Sequence, residues 1–523
     1  MTITLPRAPR RAAATALAGL ALIPVAGCGG DDAASLASGD SLARLAPKSS
    51  PFYVEAAVRP EGTLKSDLDA LVQKFAPGQN VDKLITRAFA SSSDKVDYER
   101  DIKPWLGERL GIAVTDLPAG EGDDPDFAAI VETTDTGKAT AALRKSAEGK
   151  LEDRSYGGAD YVFDTGDKNV GGIVDDALVV GTEPAFKAVV DASKGDGLDT
   201  NAEYTKAVDA VDENALAFVY ADVRRAFDLI KRSSQGSVDA KQFEGVREFL
   251  DRRGLKSFAA GLAITDTSVK FRAATGIKDD GQGDAPAKTL AALPAGSWAA
   301  LGLGDLGKSL SDGLDSLKSL SGPGFDVQRG LDQLEQQAGI DVQKDLLSWM
   351  GQSGLFVRGT SLQDIGGALV VQSKDPAATK AALAKARTIV AGAKLPAQDL
   401  AGKGIDDGFS IKPSGAPVEV FAALAGDRFV LAVNRAALDE AINPAKKLED
   451  DDAYKAATDL LGDDLKPTFF LDFPKITGLI SAAAGDQPGY DKVKPYLDRI
   501  TTVVAGSKRE DDLQVETFAV GIR

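Results

Sequence analysis

The chain repeats itself, and that limits the folds open to it more than any other feature. Leu64, Leu68-Asp69 and Leu71 recur as Leu310, Leu314-Asp315 and Leu317 at a constant offset. Both sets have helical spacing, and Val72 and Phe75 extend the apolar face of the first. Asp101, Trp105 and Gly107 in the stretch Asp-Ile-Lys-Pro-Trp-Leu-Gly return as Asp345, Trp349 and Gly351 in Asp-Leu-Leu-Ser-Trp-Met-Gly. Ala141-Ala142-Leu143 matches Ala381-Ala382-Leu383, Tyr204 matches Tyr454, and Ala221-Asp222-Val223 matches Leu471-Asp472-Phe473. Matches in one order at nearly fixed offset predict two tandem copies of one module, residues 46–277 and 289–523, with 278–288 as linker. Pro47 and Pro294 open the two copies.

The pattern inside one copy sets its class. Phe52, Val54, Ala56 and Val58 alternate with Tyr53, Glu55 and Arg59, a half-buried strand. Helices follow to about Trp105, then strands at 110–114 and 127–131 and a helix at 136–148. Short strands at 161–163, 172–174 and 177–180 read as a meander. A helix starts at Pro184, a strand spans 217–221, helices span 224–231 and 240–253, and a hairpin spans 258–273. Strands come in adjacent groups rather than in βαβ alternation. The expected class is α+β with a largely antiparallel sheet packed with helices.

Ser50-Pro51-Phe52-Tyr53-Val54-Glu55, the stretch from Asp101 to Gly107 and the strand Leu178-Val179-Val180-Gly181 resemble the 3352 family of domains of unknown function, found in exported bacterial proteins. The likeness covers nearly all of the chain after residue 28. It implies no activity, because none is assigned to that family.

The N-terminus reads as an address. Arg7, Arg10 and Arg11 precede an apolar stretch, 12–26, too short for a confident membrane span. It ends in Val25-Ala26-Gly27-Cys28, which resembles the lipobox of bacterial lipoproteins, and Cys28 is the only Cys. That resemblance implies a signal peptide of residues 1–27, cleavage before Cys28 and acylation of its thiol. Acyl chains hold a protein on a bilayer because each buried CH₂ contributes about 0.8 kcal/mol. The Gly, Asp, Ala and Ser-rich stretch 28–45 is expected to be a flexible tether. The expected location is extracytoplasmic, on the cell membrane.

Composition excludes much chemistry. The chain has no His and one Cys, which removes imidazole bases, Ser-His-Asp triads, His-based metal sites and intrachain disulfides. Without residues 1–27 it carries 58 basic against 78 acidic residues, a net −20, so nucleic acid is a poor partner.

Four candidate chemistries have structural alternatives. Trp105 and Trp349, each between an Asp and a Gly, read as core anchors with Asp101 and Asp345 as N-caps and Gly107 and Gly351 at the helix ends. Gly302-Leu303-Gly304-Asp305-Leu306-Gly307 fits the dinucleotide fingerprint, but Asp305 would face a pyrophosphate and no βαβ unit follows. Ser92-Ser93-Asp94-Lys95 fits the pattern of serine acyl enzymes but lies in a polar loop. Acids at 123, 124 and 126, at 279, 280 and 284, and at 450–452 match no calcium loop and read as solvated charge. No cofactor or metal is expected. The leading expectation is a non-enzymatic binding or scaffold module of the envelope, whose partner is the membrane and an envelope protein or hydrophobic ligand. The alternative is a carrier of a hydrophobic ligand such as a lipid, and a carboxylate-pair hydrolase stays open as a third.

Overall fold

The computed structural model describes residues 41–90, 96–118, 125–211, 215–233, 240–279, 281, 283–319, 327–412, 415, 418–462, 464–484, 487 and 489–523. The chain divides into two units. One holds the described residues up to 233 with Gly254–Ile277, and the other holds Ala240–Arg253 with Lys278–Arg523.

The first unit is built on ten strands: β1 (Phe52–Ala57), β2 (Leu106–Asp116), β3 (Asp126–Thr133), β4 (Leu151–Tyr156), β5 (Ala159–Asp164), β6 (Val170–Val174), β7 (Ala177–Gly181), β8 (Ala217–Asp222), β9 (Ser257–Thr265) and β10 (Ser268–Gly276). Every pairing is antiparallel, in the order β4-β5-β6-β7-β3-β2-β1-β8-β9-β10. The helices are α1 (Gly62–Phe75), α2 (Val81–Ala90), α3 (Thr136–Ser146), α4 (Glu183–Ala192), α5 (Ala202–Asp209) and α6 (Val223–Ser233), with α7 (Ala240–Arg253) grouped in the second unit.

The second unit repeats the plan. Its strands are β11 (Ala299–Asp305), β12 (Met350–Arg358), β13 (Gly366–Ser373), β14 (Ala397–Asp399), β15 (Asp407–Ile411), β16 (Val420–Ala425), β17 (Arg428–Val433), β18 (Lys466–Asp472), β19 (Ile500–Glu510) and β20 (Leu513–Ile522). They pair, again all antiparallel, in the order β14-β15-β16-β17-β13-β12-β11-β18-β19-β20. That is the first unit's order, strand for strand. The helices are α8 (Ala285–Ala291), α9 (Leu306–Ser319), α10 (Val327–Ala338), α11 (Pro376–Gly392), α12 (Arg435–Ile442), α13 (Asp452–Asp459), α14 (Phe473–Ala484) and α15 (Tyr490–Leu497). The fold is α+β, with antiparallel sheets throughout.

Each sheet has one tightly covered face. In the second unit Ala300, Phe356, Ala368, Val430, Ala432 and Phe470 pack under α8, α12 and α13 through Leu290, Leu438, Tyr454 and Ala457. In the first unit the buried face of β1 carries Tyr53 and Glu55, both fully inaccessible, whereas Phe52, Val54 and Ala56 are only half-buried. The alternation was legible, but the residues that look polar point into the core.

The reason is a buried polar hub. The Glu55 carboxylate accepts from the Tyr53 hydroxyl (2.6 Å), the Ser41 hydroxyl (2.8 Å) and the Leu42 N–H (3.4 Å), with the Arg109 guanidinium 3.9 Å away. These bonds satisfy a carboxylate that burial alone would make costly. They also fasten Ser41–Leu45, whose Leu42 and Leu45 are buried. Those residues belong to the body of the first unit, whereas the sequence placed 41–45 in a flexible tether. The second unit has Gly302 at the position of Glu55, and α8 descends onto it. That helix begins inside the stretch expected to be linker.

Candidate functional site: the half-covered apolar face of each sheet

The other face of the second sheet carries two rows of apolar side chains across seven strands. Pairing register places Phe518, Ala505, Phe469, Leu301, Leu355, Leu369 and Leu431 in one row. Val520, Val503, Leu471, Ala299, Val357, Gly367 and Val433 form the next. With neighbouring strands about 4.8 Å apart, each row is about 29 Å long. Leu355, Leu431 and Val433 are 39%, 42% and 39% exposed, and Leu301, Leu369, Phe469 and Leu471 are half-buried. No side chain in either row has a polar atom. Phe518 is also exposed and Val503 is buried, so this apolar face is open in part rather than along its whole length.

The first unit has the same face with more cover. Ala273, Ala260, Val219, Val54, Ile112, Ala129 and Val180 form the corresponding row. At its β7 side, Leu110, Val131, Leu178 and Val180 are closed over by α1, α2 and α3 in one cluster with Leu68, Ile85 and Trp105. Val54 and Ile112 stay half-buried and Val219 is exposed.

The sequence did not single out these rows, because half-exposed and buried strand faces have the same period. A missed signal lay in pairs such as Phe469 and Leu471, where apolar residues also occupy the positions between, so that neither face of the strand is polar.

The repeated tryptophans sit in the core. Trp105 is 2% exposed and Trp349 is 3% exposed, its ring edge-on to Phe429 at 5.2 Å. Each follows a π-helical turn, Tyr98–Ile102 or Val342–Leu347. Trp105 Nε1 donates to the Asp101 carbonyl (2.6 Å) and Trp349 Nε1 to the Asp345 carbonyl (3.1 Å). The caps differ from expectation. Asp97 and Asp341 are the N-caps, accepting from the Arg100 and Lys344 N–H groups. Asp101 and Asp345 reach back to the N–H of those caps, both at 2.9 Å, a reciprocal box stretched by the wider π turn.

The same two carboxylates receive ammonium groups, from Lys145 and from Lys385, both at 2.6 Å. Arg100 first, then Lys145, holds the Asp101 carboxyl well below the usual range, and Lys385 lowers that of Asp345. Gly107 and Gly351 lie in β2 and β12 rather than at helix ends. A Cβ at either would meet Glu132 or the Gln372 carbonyl at 2.7 Å, so close strand packing requires the glycine.

Two of the dinucleotide-like glycines also serve packing, and the third, Gly304, takes a positive φ (67°) at a bulge in β11. A Cβ on Gly302 would lie 1.9 Å from the Pro286 carbonyl, and one on Gly307 2.3 Å from that of Leu347. Asp305 caps α9 by accepting from the Lys308 N–H (2.9 Å) and pairs with Lys374, occupying the place a phosphate would need. Gly302→Ala is expected to lower the stability of the second unit by about 1–3 kcal/mol, since backbone must move. Urea unfolding followed by hydrogen exchange in 285–291 checks it, and an unchanged midpoint overturns the packing account.

Val25, Ala26, Gly27 and Cys28, the Ser92–Lys95 stretch, and acids 123, 124 and 280 lie outside the described residues. Asp451 caps α13 and accepts from the Gly296 N–H. Among the described residues no three Asp, Glu or Cys side chains converge where a metal ion would sit, and no helix is long and apolar enough to cross a membrane.

No curated protein matches the sequence. Solved structures of TP0453 in crystal forms III and IV are similar to part of it at 8% and 9% identity. They cover 46% of this chain and 82% and 81% of their own, at a TM-score of 0.25, too low to carry an argument. The family model described as "Protein of unknown function (DUF3352)" matches residues 12–514, and the chain belongs to that family.

Proposed function

We propose that this chain is a non-enzymatic binding module of the cell envelope, a lipoprotein moored by acyl chains on Cys28, and that it holds an apolar ligand on its half-covered sheet faces. The observation that carries the reading is the double row in the second unit, centred on Leu301, Leu355, Leu369 and Leu431. A ligand on that surface finds no hydrogen-bond partner, so its own buried part must be hydrocarbon. A row of about 29 Å accommodates a lipid tail, which in one leaflet spans about 15 Å of a bilayer core about 30 Å thick. The anchor keeps the protein beside the source of such tails. The shared strand order supports two copies of one module, each supplying such a face.

Native mass spectrometry of the full-length protein, extracted from its own membrane, tests the reading. Co-purifying lipid is expected beyond the covalent acyl mass. Leu355→Glu together with Leu431→Glu is expected to remove it while leaving the far-ultraviolet circular dichroism unchanged. Cys28→Ala is expected to abolish the acyl mass and release the protein from the membrane fraction. A wild-type protein carrying no lipid overturns the ligand, and an unacylated cytosolic one overturns the location.

A further inference from the structure

The two units differ instructively where α3 and α11 cross strands β4–β6 and β14–β16. Counting along the paired strands makes Asp153 equivalent to Asp399, Asp160 to Asp407, Val162 to Phe409 and Gly171 to Ala422. In the second unit this place is filled from within the chain. Arg387 Nη2 donates to Asp407 (2.7 Å) and to the Gly408 carbonyl (2.6 Å), while Nε lies 3.5 Å from Asp399. The guanidinium lies over the Phe409 ring at 5.2 Å, and its hydrogen bond lowers the Asp407 pKa.

The first unit keeps both carboxylates, but its own arginine reaches only Asp153. Helix α3 ends at Ser146, just before the position of Arg387, which is Ala147. The Phe becomes Val162 and the Ala becomes Gly171, and a cleft of about 680 Å³ opens, lined by Leu143, Arg144, Asp153, Asp160, Val162 and Gly171. Arg144 reaches Asp153 at 2.6 Å. The Asp160 carboxylate is exposed to solvent at the cleft and has neither hydrogen-bond nor ion-pair partner among the described residues.

We infer that this cleft of the first unit binds a guanidinium or alkylammonium group, whose cation Asp160 receives and whose alkyl stem rests on Val162 and Leu143. The second unit shows the chemistry these positions select, because the equivalent carboxylates hold a guanidinium there. Charged hydrogen bonds supply the attraction and the apolar floor takes the methylenes. The inference is independent of the apolar-ligand reading, since it uses none of the residues named in the apolar rows.

The test is titration of the full-length protein with ethylguanidinium and with an acetylated Gly-Arg-Gly amide, followed by isothermal calorimetry. Binding of either probe is expected, weakened at least ~10-fold by Asp160→Asn and by Val162→Phe, which copies the filled second unit. Tighter binding of the peptide assigns the cation to a partner polypeptide, and equal binding assigns it to a small free amine. Both results support the site. Circular dichroism confirms that each variant is folded. Absence of binding, or binding that survives both substitutions in folded protein, overturns the inference.

Discussion

Replacing Glu55 by Ala is expected to lower the unfolding free energy of the first unit by about 3–5 kcal/mol, the cost of breaking a buried charged pair from one side. The substitution removes the shared acceptor of the Tyr53 and Ser41 hydroxyls and the counter-charge 3.9 Å from Arg109, all in a region shut off from water. It also releases Ser41–Leu45, so hydrogen exchange of 41–46 is expected to accelerate before any other segment. A pH series adds a second readout. Burial raises the Glu55 carboxyl above its ordinary 4.5, and the hydrogen bonds from Tyr53 and Ser41 only partly oppose it. The folded state therefore binds this proton more tightly than the unfolded state. The resulting stability is complete below the unfolded value and is lost as pH rises through the raised folded one. Glu55→Gln is expected to remove that pH dependence. Denaturant unfolding at several pH values measures both effects. A Glu55→Ala protein as stable as wild type would falsify the hub.

Trp105→Ala is expected to cost the first unit about 3–5 kcal/mol, the usual range for deleting a buried aromatic. The indole is buried among Leu68, Ile85, Leu106 and Leu178 and donates to the Asp101 carbonyl, while its own carbonyl accepts from the Thr134 N–H (2.8 Å). Loss of the ring takes away the packing that holds the π turn against β3. Trp349→Ala is expected to do the same to the second unit, where the carbonyl accepts from the Lys374 N–H at 2.8 Å. Hydrogen-exchange mass spectrometry separates the two cases: 106–116 and 126–133 lose protection in the first variant, 350–358 and 366–373 in the second. Trp105→Ala with a stability change within ~0.5 kcal/mol, the scale of an ordinary surface substitution, rules out the anchor.

These two sites show how unevenly the sequence speaks. The repeated tryptophans were visible at once, because a Trp between an Asp and a Gly in both halves is rare and its environment is local. The hub was invisible. Glu55 reads as the solvent side of an amphipathic strand, and only a segment arriving from Ser41 and a guanidinium arriving from β2 turn that side inward. Strand β4, with the polar sequence Leu151–Tyr156, was missed for a related reason. An edge strand with solvent on one side has no apolar period to display. The caps at Asp97 and Asp341 were displaced by four residues because a π turn alters the spacing that cap rules assume.

From the sequence alone came the α+β class, the two-fold internal pattern and the exclusion of imidazole chemistry, since local periodicity and composition carry all three. Tertiary structure alone decided which face of each strand lies under helices, why Gly302 and Glu55 stand at one position, and where a cleft remains open beside Asp160. Burial is a property of what arrives from elsewhere in the chain, and a strand's own alternation is the same whether its apolar side is covered or waiting for a ligand.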